Sequence, residues 1–418
     1  MQTIRDDAMF IINESIKAVL PEAAVVKALN QKDFGSNIVL VAIGKAAWNM
    51  ANAAKEALGS KVRKGIVVTK YGHSKGHIEH CEIIEAGHPV PDKNSVLGAE
   101  KILAMVSGLT TDDQVIFLVS GGGSALFEKP LDGVSLEDVI DITSQLLSCG
   151  AAIVEINTIR KHLSAVKGGR FAQQCGGAKI YSIVLSDVVG DRLDAIASGP
   201  AYPDSSTSEE AFCILEKYKI RIRDHLAEAL GRETPKIIEN CETVVTGSVT
   251  ALCEAAAISA QKLGYSPLVA STSIDRVAKE YGTYLATLVH EINSGNYSET
   301  AIKPPCAIIS GGETIVRLSG NGKGGRNQEV ALAAALGIEG IDHVVVFSVG
   351  SDGTDGPTDA AGGMVDGGTV SRMRASSVSP EVSLANNDSY HALKSSGDLI
   401  VTGPTGTNVN DLMVILCK

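Results

Sequence analysis

Short continuous apolar runs alternate along the chain with longer stretches of helical period. Over the first 30 residues Met9, Phe10, Ile12, Ile16, Val19 and Leu20 recur on that period and predict helix. Residues 37–43 (NIVLVAI) are then almost uninterruptedly apolar, as a strand buried on both faces must be. The same signature returns at 65–69, 81–85, 114–119 (QVIFLV) and 180–185 (IYSIVL), with helical patterns at 45–58, 95–107, 136–148 and 155–174 between. Buried strands separated by helices predict an α/β fold whose parallel sheet is covered by helices on both faces. A polar stretch, 200–208 (PAYPDSSTS), leads into a helical segment ending near 230, and the alternation restarts at Thr243. Two domains are expected, 1–240 and 241–418, the second with strands at 307–310, 344–349, 399–402 and 413–416. No short fixed period repeats, which excludes a solenoid.

Charge and cysteine usage narrow the function classes. The formal net charge is −11, whereas a general nucleic-acid binder is basic. An acidic surface still leaves room for a local basic pocket that takes a small anion. The eight Cys form no C-x-x-C pair, so neither a zinc framework nor a disulfide scaffold is expected, and a reducing, cytoplasmic setting fits. No run of 18 apolar residues occurs, and the first residues lead into no export signal, so no membrane partner is expected.

Gly, Ser and Asp concentrate just after the apolar runs, where open α/β sheets bind ligands. Ser120-Gly121-Gly122-Gly123-Ser124 follows the 115–119 run; its glycines let backbone N–H groups converge on an anion, or serve a tight packing turn. Lys45 follows Gly44 before one helix, and Arg326 opens another within Gly324-Gly325-Arg326-Asn327. A cation at a helix start opposes the macrodipole, so two such cations point to an anion nearby. After the 344–349 run, Asp352, Asp355 and Asp359 share a loop with Thr354 and Thr358. That oxygen-rich loop suits Mg²⁺, although Asx turns alone produce similar sequence. Asp187 ends another strand, where it could orient a substrate hydroxyl or a metal. Arg160, Ser164 and Lys167 are spaced for one face of a helix, as a polar wall for an acid or as a solvated stripe. The P-loop, the protein-kinase catalytic loop and the nucleophile elbow are absent. His73, His77 and His80 are interrupted by Gly72 and Gly76 and read as loop histidines.

The ordered series of motifs resembles the glycerate 2-kinase (class II glycerate kinase, MOFRL-domain) family across almost the whole chain. The series runs Gly44-Lys45-Ala46, Gly87-His88-Pro89-Val90-Pro91-Asp92, Ser120–Ser124, Lys167-Gly-Gly-Arg170, Ser186-Asp187-Val-Val-Gly-Asp191 and Ser198-Gly-Pro200. It continues with Ser310-Gly-Gly-Glu313, Gly324–Glu329, Asp352–Asp359 and Gly403–Asp411. The resemblance implies a larger Rossmann-like N-terminal domain, a smaller α/β C-terminal domain and an active site in the cleft between them. It also implies phosphoryl transfer from ATP, with Mg²⁺, to D-glycerate, giving 2-phosphoglycerate and ADP. On that reading Lys45 and Arg326 stabilise charge and Asp187 orients the attacking hydroxyl. Asp352, Asp355 and Glu313 help hold Mg²⁺. Ser120, Gly121, Gly122, Gly123, Ser124, Lys167, Gly324, Gly325 and Asn327 bind substrate or nucleotide. A homodimer is compatible with it.

The rival enzyme class is an NAD(P)H-dependent hydroxypyruvate reductase. Against it, the first βα turn reads Gly44-Lys45-Ala46-Ala47 rather than G-x-G-x-x-G, and the second strand ends at Lys70 rather than an acid. A non-catalytic sugar-phosphate sensor is the third class, and the carboxylates at strand ends argue for metal chemistry instead.

Overall fold

The computed structural model describes residues 3–186, 193–295 and 302–418. The chain forms two compact units, 21–246 and 1–20 with 247–418. It opens with α1 (Ile4–Ala18), which belongs to the second of these.

The 21–246 unit contains α2 (Pro21–Leu29), β1 (Ile38–Ile43), α3 (Ala47–Leu58), β2 (Val62–Lys70), β3 (Cys81–Ala86) and α4 (Lys93–Val106). It continues through β4 (Gln114–Val119), α5 (Gly123–Leu126), α6 (Leu136–Ser148), α7 (Ile153–Leu163), α8 (Arg170–Gln174) and β5 (Lys179–Leu185). Next come α9 (Ser208–Lys217), α10 (Asp224–Leu230) and β6 (Cys241–Gly247). The sheet order is β3-β2-β1-β4-β5-β6, and β3 through β5 pair in parallel. Every residue of β1 is buried, as the unbroken apolar run requires. Alternate residues feed two cores: Val39, Val41 and Ile43 face one, and Ile38, Leu40 and Ala42 the other.

The second unit continues with α11 (Val249–Lys262), β7 (Ser266–Ile274), α12 (Ala278–Ser294), β8 (Cys306–Gly312), α13 (Arg326–Gly337) and β9 (Val344–Gly350). It closes with β10 (Gly362–Asp366), α14 (Thr369–Ala375), α15 (Pro380–Ala385), α16 (Ser389–Ser396), β11 (Leu399–Ile400) and β12 (Asp411–Cys417). Its sheet is mixed, in the order β11-β10-β9-β12-β8-β7. β12, the last strand, sits in the middle, antiparallel to β8 and β9. Among the described residues no helix is long and apolar enough to cross a membrane.

Three sequence expectations change. Helix over the first 30 residues is broken at 19–20, and its halves join different units, so 1–240 is not one body. The cause is packing: Ala8, Ile11, Ile12, Ile16 and Val19 fill the core formed by α11 and the second sheet, while Phe10 stays 37% exposed. The 155–174 helix divides at Ser164, whose backbone is extended, so Arg160, Ser164 and Lys167 share no helical face. β7 and β10 carry too weak an apolar signal to stand out, being half-exposed and glycine-led respectively.

Candidate active site

In the 21–246 unit the sheet grows in opposite directions from β1, through β2 and β3 on one side and β4 onward on the other. The crevice between the loops leaving β1 and β4 is where such sheets bind ligands. Backbone bonds tie those loops together: Ser120 N–H to Ile43 O at 3.0 Å and Lys45 N–H to Gly121 O at 2.9 Å. Gly44 has φ of +117°, and a Cβ there would lie 2.2 Å from Ser120 Oγ, so only glycine permits this approach. Ser120 is buried; its hydroxyl accepts from Ala46 N–H at 3.1 Å and donates to Ile43 O at 3.3 Å. It therefore ties the two loops of the crevice together.

The Gly121–Gly123 turn lies against two basic side chains. A Cβ on Gly122 (φ +84°) would meet the His88 ring at 2.9 Å and Lys45 Cγ at 3.2 Å. The Lys45 carbonyl accepts from Thr69 Oγ1 at 3.3 Å and approaches His73 Nδ1 at 3.0 Å. Its ammonium has no hydrogen-bond or ion-pair partner among the described residues. α3, behind it, has no acidic residue in its first turn and no side-chain cap. The anion inferred from the sequence at this helix start is thus not supplied by a described side chain. Burial, then Lys45, Lys70 and His73, push the His88 imidazole below its ordinary value. His88 was visible in the sequence only as part of a motif; its position just after β3, at the same sheet edge as Lys45, is what brings it into the site.

Ser124 faces neighbours within the unit. Its hydroxyl is 2.7 Å from Ser198 Oγ, which donates to Asn157 Oδ1 at 3.2 Å, and its carbonyl accepts from Arg160 at 3.0 Å. Lys167 is fully buried: its ammonium donates to Phe127 O at 2.8 Å and pairs with Glu128 at 2.8 Å, both side chains at 0% exposure. Burial pulls that ammonium down to about 8. Lys167 so braces the segment behind the Ser120–Ser124 loop, with no solvent exposure of its own. Asp187 lies outside the described residues.

In the second unit β8 and β9 end at Gly312 and Gly350, and the antiparallel β12 begins opposite both, at Asp411. Glu313 and the Ser351–Asp359 loop follow at that same edge. Arg326, the first residue of α13, donates through Nε and Nη2 to Asp411 at 2.6 and 3.0 Å, and Nη1 lies 3.0 Å from Glu313. Asp411 is completely buried; burial raises its carboxyl against the opposing pull of Arg326. Asp355 is also buried and caps α13 from outside the helix. It accepts from Asn327 N–H at 3.1 Å, Gln328 N–H at 2.9 Å and Gln328 Nε2 at 2.9 Å. Burial pushes its carboxyl up to about 6. Here the anion that the sequence called for at a helix start comes from the protein itself. Gly324 and Gly325 admit Ser389 and Asp355, whose atoms would lie 2.1 and 2.3 Å from an added Cβ. Asn327 is buried and binds Ser348 and Asp355.

These positions test the metal set. Asp355 has its oxygens committed to the helix cap and does not fit a metal ligand. Glu313 is engaged by Arg326. Asp352 binds Thr354 N–H and hydroxyl through Oδ1 alone, an Asx turn that leaves Oδ2 unengaged by described residues. Among the described residues no three His, Cys, Asp or Glu side chains gather to hold a metal. Nucleotide-bound Mg²⁺ takes only one or two carboxylates, the rest being water and phosphate oxygens, and Asp352 fits that smaller role.

Comparisons with known proteins group the chain with glycerate kinases, although two relatives 40% and 39% identical are named putative hydroxypyruvate reductase. Residues 7–231 match the family described as a domain of unknown function (DUF4147), and residues 306–411 match the MOFRL family. The chain is 52% identical to the D-glycerate 2-kinase of Thermotoga maritima, across 99% of this chain and 98% of that one. It is 41% identical to the glycerate 2-kinase of Pyrococcus horikoshii, across 99% and 97%. The crystal structure of the glycerate kinase from Thermotoga maritima superposes with a TM-score of 0.95, covering 99% of each chain. With its motifs in order and both segments matched, this chain belongs to the glycerate 2-kinase family.

Proposed function

We propose that the protein transfers the γ-phosphoryl group of ATP to the 2-hydroxyl of D-glycerate. The observation that carries this reading is Lys45, a cation without a side-chain partner among the described residues, at the switch point of a parallel sheet, over a glycine turn and beside His88. Phosphoryl transfer asks a protein for positioning and charge stabilisation more than for covalent chemistry. Lys45 and the Gly121–Gly123 turn hold an anionic group, the phosphate chain or the glycerate carboxylate. Arg326 stabilises charge that grows as the bond to ADP breaks. Asp187 orients the 2-hydroxyl and takes its proton. Mg²⁺, when bound with ATP, offsets phosphate charge, and Asp352 is the residue that would help hold it.

The reductase alternative lacks its recognition chemistry. The turn after β1 carries Ala46 and Asn49 where a dinucleotide fingerprint starting at Gly44 needs glycines, and β2 ends at Lys70 where a ribose-binding acid belongs. One assay separates the two. With ATP, Mg²⁺ and D-glycerate, ADP should form with 2-phosphoglycerate identified by phosphorus NMR, and chelator should abolish turnover. NAD(P)H oxidation with hydroxypyruvate, without ADP formation from glycerate, would reverse the assignment.

A further inference from the structure

Arg326 is gripped on one edge and only touched on the other. Asp411 holds the Nε and Nη2 side through two bonds, 2.6 and 3.0 Å, from a carboxylate with no solvent exposure. Such a bidentate pair fixes the plane of the guanidinium as well as its place. Asp411 is itself fixed, as the first residue of the central strand between the ends of β8 and β9. On the Nη1 side stands Glu313, whose side chain is 50% exposed and lies 3.0 Å away. An exposed carboxylate on a guanidinium is a weak contact, easily exchanged for another anion.

We infer that Asp411 is a positioning residue that aims Arg326, and that Glu313 is a displaceable counter-ion keeping the place of a substrate anion. The inference rests on the kinase reading and assigns Glu313 the opposite role to a metal ligand. A phosphate or carboxylate oxygen replaces Glu313 on Nη1, while Asp411 keeps the plane of the group unchanged. The two acids on one arginine therefore act in opposite senses: one is needed for the rate, the other competes with binding.

Steady-state kinetics with ATP and D-glycerate test this. Glu313→Gln should lower KM for one of the two substrates about two- to fivefold, the size of one exposed ion pair, with kcat within about twofold of wild type. Asp411→Asn should lower kcat on the order of 10²-fold with little change in KM, because a misaimed stabiliser fails at the transition state. Asp411→Glu should recover part of that loss. If Asp411→Asn does not fold, Arg326→Ala and Arg326→Ala/Asp411→Asn replace it, the latter leaving no buried carboxylate unpaired. Added guanidinium should then restore turnover to the first and not to the second. A lower kcat or a raised or unchanged KM in Glu313→Gln overturns the counter-ion role. Normal kcat in Asp411→Asn, or equal rescue of both arginine variants, overturns the positioning role. Wild-type turnover in the same assay keeps either failure apart from failure of the kinase reading.

Discussion

Lys45 and Arg326 occupy matching places in the sequence, each just after a glycine at a helix start, but different electrostatic settings. Arg326 is bonded to a buried carboxylate, whereas the Lys45 ammonium meets no described partner. Lys45→Met and Arg326→Met should each lower kcat on the order of 10²-fold, as removal of one electrostatic stabiliser does. Their stabilities should differ. Arg326→Met strands Asp411 and should cost about 1–3 kcal/mol in urea unfolding, while Lys45→Met should unfold like wild type. Equal stability of the two would contradict the pairing. Asp355 adds a pH signature. Its folded value, about 6, lies above its ordinary 3.8, so the folded protein holds that proton more tightly than the unfolded chain. The resulting stability is complete below the ordinary value and is lost as pH rises through about 6. Between those limits wild-type stability should fall more, or rise less, with pH than that of Asp355→Asn, as read by denaturant titration.

At the scale of elements, glycine and buried charge set the site. Gly44 brings the β1 loop onto Ser120, and Gly325 brings α13 onto Asp355. Both glycines serve contacts between protein segments, a distinction that no glycine-rich run shows by itself. Behind the Ser120–Ser124 loop, Lys167 and Glu128 form an ion pair without solvent exposure. Breaking such a pair on one side costs about 3–5 kcal/mol, while replacing both partners by apolar groups is often neutral. Lys167→Met should therefore destabilise strongly, and Lys167→Met/Glu128→Leu should recover most of the loss in thermal or denaturant unfolding. KM for both substrates should stay near wild type in the double variant. A raised KM in that well-folded double variant would return Lys167 to the binding residues.

On the scale of the whole molecule, the first helix belongs to the distant half of the chain. Beyond its apolar face, Arg5 contacts Asp398 at 2.9 Å and Asp7 accepts from Tyr265 at 2.7 Å, both partners lying in the second unit. Burying five apolar side chains of this kind contributes roughly 1.5–3 kcal/mol for each of the larger ones. A polypeptide of residues 21–246 should thus fold alone by circular dichroism and amide dispersion. Residues 247–418 should fold well only when residues 1–20 are supplied, fused or as a peptide. Cooperative unfolding of 247–418 without that segment would show the helix to be dispensable.

The sequence by itself determined the elements whose signal is local. Continuous apolar runs marked β1, β4, β5 and β9 closely, because a strand buried on both faces leaves no polar position to blur it. The order of glycine, serine and acidic motifs was likewise enough to identify the family. Tertiary structure decided which of these groups are free. Asp355 and Arg326 stood in the sequence as a metal ligand and a ligand-seeking cation; one caps α13 and the other is paired with Asp411, 85 positions away. Lys167 stood in the sequence on one helical face with Arg160 and Ser164, as a polar wall for an acid or a solvated stripe, and that face ends because the chain becomes extended at Ser164. The unit to which α1 belongs was equally illegible, since an amphipathic face records that it is buried but not against what. Local pattern reports solvent exposure and backbone geometry; partners far apart in the chain are chosen only when the sheets assemble.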